Sequence, residues 1–160
     1  GDVNGDGITE LPRAVLMAGY KDTSSSDAVY MLDWYAYGIG KVPTKVATTY
    51  QNISDAWSLL IDQKWHNRIT AIKANDGGLS YVEFFEYRKN KMSIPLFNIY
   101  CATGSNREYY AERTDLIQLG QTTQAIYFAK LTNEGEQSEL ALTGDEIKAR
   151  FSLVNQAWNN

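Results

Sequence analysis

Short runs rich in β-branched and aromatic residues, broken by turn-forming stretches, recur along this chain. Ala28 to Tyr37 is one such run, and Val42 to Tyr50 is a second, separated from it by Gly38-Ile39-Gly40. Asn52 to Asp55 reads as a short helical turn or loop before the apolar run Trp57-Ser58-Leu59-Leu60-Ile61. Arg68 to Lys73 alternates with period two, Asn75-Asp76-Gly77-Gly78 is a turn signal, and Leu79 to Arg88 is the returning strand. That strand divides Leu79, Tyr81, Glu83, Phe85 and Tyr87 from Ser80, Val82, Phe84 and Glu86. Residues 94–102 predict another strand, and residues 115–119 and 124–131 a hairpin through Gly120-Gln121-Thr122. Residues 105–113, polar but for Tyr109 and Tyr110, read as a short helix.

The last element follows a different period. Thr143 is a natural N-cap, with Asp145 and Glu146 suited to the positive end of a helix. Ile147, Arg150, Phe151, Val154 and Trp158 recur at helical spacing, which predicts an amphipathic helix packed on the sheet. The expected fold is α+β, mainly antiparallel, with this helix at its C-terminal end. Residues 1–40 form a loop-hairpin unit and residues 41–160 the main module.

The first ten residues stand apart from this pattern. Asp2, Asn4, Asp6 and Glu10 place side-chain oxygens at loop positions 1, 3, 5 and 9, and Gly5 and Gly7 permit a sharp turn. Calcium takes six to eight oxygen ligands at about 2.3–2.6 Å, which a short loop supplies when alternate side chains point inward. The carbonyl of Ile8 would add a main-chain oxygen, and Glu10 would close the shell. The predicted ligands are therefore Asp2, Asn4, Asp6, Ile8 and Glu10, around a calcium ion. The alternative without metal is a tight, glycine-rich turn.

An EF-hand needs a glutamate at position 12 and an apolar residue at position 8, but these are Arg13 and Thr9, and Pro12 stands where the exiting helix would begin. A dockerin opens with the same pattern but resembles two tandem copies, each followed by a helix, and no second copy is found. The run is most similar to the FG-GAP or VCBS loop of integrin-type β-propellers, where an acid at position 9 precedes an apolar strand. Here Glu10-Leu11-Pro12 leads into Ala14-Val15-Leu16-Met17.

Net charge is −4 without a basic patch, which argues against nucleic acid as partner. Eleven tyrosines, four tryptophans and five phenylalanines fit sheet packing and a carbohydrate-facing surface. Cys101 stands alone, so no internal disulfide forms, and its apolar neighbours predict a small buried hydrophobe. No run approaches the ~20 apolar residues of a membrane span, and no signal peptide is seen. The start at Gly1-Asp2, inside the loop, implies the C-terminal piece of a longer protein whose export signal or lipid anchor lies upstream.

Further pieces carry a second resemblance: Asp33-Trp34-Tyr35, the apolar strand ending at Trp65, Arg68-Ile69-Thr70, Pro95 to Tyr100, Ala125 to Ala129, Leu142-Thr143 and Phe151-Ser152-Leu153. Together they resemble a module that follows FG-GAP loops in surface lipoproteins of Gram-positive bacteria. The second half looks like a PsbP-like sandwich, an antiparallel sheet backed by helices. That family places a proline before its tryptophan strand, where this chain has Asp62-Gln63-Lys64. The resemblance implies a cell-surface location and a fold, not a reaction.

Other candidate chemistry is thin. Asp76 to Glu83 imitates the back half of an EF-hand, but the earlier ligand positions would be Ile72 and Ala74, so a hairpin turn is expected. Glu83 and Glu86 could serve as a glycosidase pair, yet three residues apart on a strand they face opposite ways and read as solvated or edge charges. His66 is the lone histidine and reads as a surface residue. Trp34-Tyr35-Ala36-Tyr37 and Tyr109-Tyr110 form either a stacking platform or alternating core residues. The function expected is a non-enzymatic extracellular binding or structural module, with a protein or carbohydrate surface ligand. An extracellular hydrolase or its accessory domain, using Glu83 or Glu86, and a dockerin-like docking unit are the alternatives.

Overall fold

The computed structural model describes residues 1–24 and 27–154. In chain order its strands are β1 (Glu10–Leu16), β2 (Tyr30–Ala36), β3 (Thr44–Asn52), β4 (Trp57–Leu60), β5 (Ile69–Asp76), β6 (Leu79–Arg88), β7 (Lys91–Thr103), β8 (Ile117–Gln121), β9 (Ala125–Leu131) and β10 (Phe151–Leu153). Among the described residues the short helices include α1 (Arg107–Ala111), α2 (Asn133–Glu136) and α3 (Gly144–Arg150), and a 3₁₀ turn spans Gln63–Trp65. All pairings are antiparallel and form two five-stranded sheets, β1-β2-β3-β4-β10 and β5-β6-β7-β9-β8. The expected mainly antiparallel, β-rich fold is what forms. The β5–β6 hairpin turns through Gly77, whose φ of 62° is open to glycine at little cost.

Aromatic side chains join the sheets. Tyr50 of the first sheet meets Phe84 of the second edge-on at 5.6 Å, and Phe84 stacks on Phe97 at 4.9 Å. Trp65 stacks on Phe97 at 5.7 Å and is wholly buried, so its indole N–H needs a partner, and it donates to the Leu140 carbonyl at 2.7 Å. Each such side chain contributes roughly 1.5–3 kcal/mol of burial. A second cluster of Ala102, Leu116, Ile126 and Phe128 takes in Tyr100 and Tyr110, the latter delivered by α1 and stacked on Phe128 at 5.2 Å.

Residue 40 lies between β2 and β3, which pair from Met31–Tyr50 to Ala36–Thr44 with a bulge after Trp34. The strands on either side of the expected boundary at residue 40 therefore share one sheet.

The expected C-terminal helix is much shorter than its pattern. Thr143 caps α3 as expected: its hydroxyl accepts from the Glu146 N–H, and the Glu146 carboxylate accepts from the Thr143 N–H in return. The helix then stops at Arg150, and Phe151–Leu153 becomes β10 against β4. The physical reason is what Phe151 gains there. It stacks on Trp57 at 5.8 Å and packs on Tyr127 at 5.7 Å, while its backbone pairs with the Leu59 position. Ile147 and Phe151 lie four apart, so helical spacing persists across the change of structure. Trp158, counted in the expected helix, lies outside the described residues.

Phe151→Ala is expected to lower stability by about 3–5 kcal/mol in denaturant unfolding, because a buried aromatic seam is emptied. A loss below ~1 kcal/mol would contradict the placement of this strand.

Candidate metal centre

The register of β1 and β2 sets the position of the N-terminal loop. Glu10 pairs with Ala36 and Pro12 with Trp34, so Glu10 shares a face with Trp34. Trp34 pairs with Ala47 on β3, and its indole donates to Thr49 at 2.9 Å. Thr49 lies on the opposite face from Tyr50, the inter-sheet contact. Glu10 and Trp34 thus occupy the outer face of the first sheet. Both are nevertheless buried, Glu10 at 0% exposure and Trp34 at 4%.

The loop folds back along this face. The Glu10 N–H donates to the Gly1 carbonyl at 2.8 Å, and the Gly1 amine donates to the Glu10 carbonyl at 3.2 Å. The Val3 N–H donates to Glu10 Oε2 at 2.8 Å. Within the loop, Asp2 Oδ1 accepts from the N–H groups of Gly5 at 2.7 Å and Asp6 at 3.2 Å, and Oδ2 from Gly7 at 2.8 Å. Asn4 Oδ1 accepts from the Asp6 N–H at 3.0 Å, and the Asn4 amide donates to Asp6 Oδ2 at 3.0 Å. Asp6 Oδ1 accepts from the Ile8 N–H at 2.8 Å. Gly5 and Gly7 have φ of 76° and 83°, the left-handed values this winding requires. These bonds, the one from Gly7 foremost, hold the Asp2 carboxyl below the usual carboxylate range, against some opposing desolvation.

The structure brings three of the five predicted residues together. Oxygens of Asp2, Asp6 and Glu10 lie within 4.8 Å of one another. Asn4 is tied to the group through Asp6, and Ile8 through its backbone N–H. Two ligands on opposite sides of a calcium ion stand about 4.6–5.2 Å apart, so this spread is compatible with one shared ion. None of the ion pairs among the described residues involves these carboxylates. Glu10 Oε1 is buried with no hydrogen-bond partner, the one such side-chain atom among the described residues. A buried carboxylate oxygen without a donor is costly, and a cation is one group that removes the cost. Sequence spacing identified Glu10 but carried no signal of its burial.

The other candidates scatter. Glu86 is 2% exposed, and its Oε1 accepts from the Arg88 guanidinium at 2.6 Å and its Oε2 from Ser138 at 3.0 Å. It is therefore a buried carboxylate with a partner on each oxygen, a correction to the solvated or edge charge expected. Glu83 is half-buried on the opposite face of β6, opposite Ile72, so the two do not converge. His66 is exposed. Cys101 is buried, and that burial, with the Asp55 charge, pushes its thiol up to about 11, so it stays protonated at neutral pH. Tyr37 and Tyr109 are exposed and Trp34 is not, so these aromatics form no continuous platform.

The lowered Asp2 pKa gives the loop an acid limit. The native loop favours the carboxylate, so its contribution is complete above the ordinary aspartate value of about 3.9 and is lost as pH falls through the lower folded value. The Gly5 and Gly7 amide resonances are expected to titrate with a midpoint below ~3.9 by NMR. A midpoint at or above that value would contradict the hydrogen bonds to Asp2. Comparison with protein-family models, with curated proteins and with solved structures finds no match to this chain.

Proposed function

We propose that this chain is a non-enzymatic extracellular module, serving binding or structure, whose N-terminal loop holds a calcium ion. The observation that carries the reading is the buried, unpartnered Oε1 of Glu10 beside the carboxylates of Asp2 and Asp6. Asp2, Asn4, Asp6 and Glu10 offer side-chain oxygens and Ile8 its carbonyl, a set of hard donors that suits calcium rather than a softer metal. Charge supports the same assignment. Three carboxylates without a basic partner repel one another, and a divalent cation reduces the local charge to about −1.

The chain enters β1 directly at Glu10. That exit supports a propeller-type FG-GAP or VCBS loop over an EF-hand or a dockerin, whose loops run into helices. The lipoprotein module and the PsbP-like half belong to the same proposal. Their support is an antiparallel second sheet backed by α1 through Tyr110. A cell-surface setting belongs to the same proposal, and extracellular calcium modules bind the ion at about 10⁻⁴–10⁻³ M.

The metal's role in this reading is to fix the loop against the outer face of the sheet. Millimolar calcium, at about ten times such a dissociation constant, adds ~1.4 kcal/mol, which raises the melting temperature by roughly 3–6 °C in a domain of this size. Glu10→Gln and Asp6→Ala are expected to abolish that rise. An unchanged melting temperature at millimolar calcium, in the wild type as in both variants, would overturn the assignment.

A further inference from the structure

A cavity of about 360 Å³ lies between the N-terminal loop and the outer face of the first sheet. Gly1, Asp2 and Val3 form one wall, and Trp34, Leu60 and Val154 supply apolar lining. Its floor is a polar row that the strand register assembles from three separate parts of the chain. Gln51 of β3 stands opposite Ser58 of β4, and Ser58 stands opposite Ser152 of β10. All three line the cavity. Each is directly across from the next, so their side chains project from one face at neighbouring-strand spacing.

The polar groups beside this row are engaged. Thr49, the next outward position on β3, is engaged by the Trp34 indole. Arg150, at the rim, is engaged by Asp62 at 2.7 Å and by the Glu146 carbonyl at 3.0 Å. Among the described residues, the side chains of Gln51, Ser58 and Ser152 have no such partner. One amide and two hydroxyls offer both donors and acceptors without net charge. The two charged side chains that line the cavity are committed elsewhere, Asp2 to the loop N–H groups of Gly5 and Gly7 and Arg150 to Asp62, so the lining left for a ligand is neutral.

We propose that this cavity binds a neutral polyhydroxylated ligand, a saccharide, with Gln51, Ser58 and Ser152 as its hydrogen-bonding floor and Leu60 and Val154 against its apolar face. Sugar hydroxyls both donate and accept, as the row requires, and ring C–H groups suit the apolar wall. The volume lies in the range of small-ligand sites. The proposal deepens the binding-module reading and rests on it for the calcium ion that holds the Gly1–Val3 wall in place.

The test is chemical-shift mapping of the intact chain in millimolar calcium, titrated separately with glucose, galactose, mannose and N-acetylglucosamine. At least one sugar is expected to give saturable shifts at the amides of Gln51, Ser58, Ser152 and Val3. Gln51→Ala combined with Ser58→Ala is expected to weaken that sugar by about tenfold with an unchanged melting temperature, since neither side chain holds the fold together. Absence of saturable shifts from all four sugars overturns the proposal, as do shifts that map to another face or persist in the double variant. Tighter binding of inorganic phosphate than of any sugar overturns the neutral ligand class. Calcium affinity, measured by calorimetry on the same sample, separates the two readings. Calcium binding without sugar binding sinks the cavity proposal alone, and sugar binding without calcium binding supports the cavity and sinks the metal reading.

Discussion

Glu10 sits at the first residue of an edge strand and faces away from the inter-sheet core, yet it has no exposed surface, and one of its two carboxylate oxygens has no donor. A buried carboxylate needs hydrogen bonds or a counter-charge, because its transfer from water costs far more than a typical side-chain contact returns. Val3 satisfies one oxygen. The other points to the requirement that organises this part of the molecule. Asp2 and Asp6 stand beside it, wound into place by four backbone N–H groups, of Gly5, Asp6, Gly7 and Ile8, donating to their carboxylates or to Asn4. The same winding lays Gly1–Val3 along the outer face of the sheet that holds Trp34. In the proposed reading, removing the cation loosens both the loop and the cover over that face.

The rest of the fold makes this arrangement possible by carrying its stability elsewhere. The inter-sheet seam of Tyr50, Trp57, Trp65, Phe84, Phe97 and Phe151 buries large aromatic area without using any residue of the N-terminal loop. Trp34 belongs to neither hydrophobic cluster. The outer face of the first sheet is thus free to carry polar side chains, and a row of them appears where β10 joins β4. That strand closes the sheet at the end opposite β1.

Much of this was legible in the sequence, for reasons tied to particular residues. Asn75-Asp76-Gly77-Gly78 between two alternating runs places the β5–β6 hairpin, because such residues tolerate the positive φ that a tight turn needs. Thr143 and Glu146 mark the start of α3 through chemistry confined to one turn. The end of that helix was not legible. Ile147 and Phe151 satisfy helical spacing, and it is the distant Trp57 and Tyr127 that draw Phe151 into a strand. The burial of Glu86 is hidden from the sequence for a related reason: Ser138, far along the chain, supplies a partner that no local pattern announces. At the candidate site the oxygen spacing named the residues. The burial of Glu10, and the row formed by Gln51, Ser58 and Ser152, depend on register between strands and on the path of the loop, which pattern alone does not encode.

The central claim is that a cation completes the Glu10 environment. Isothermal titration calorimetry of the chain with calcium chloride tests it most directly. The account predicts one saturable site, with its heat lost in Glu10→Gln although that variant remains folded. Absence of a saturable heat in the wild type, or an isotherm unchanged by Glu10→Gln, would contradict it.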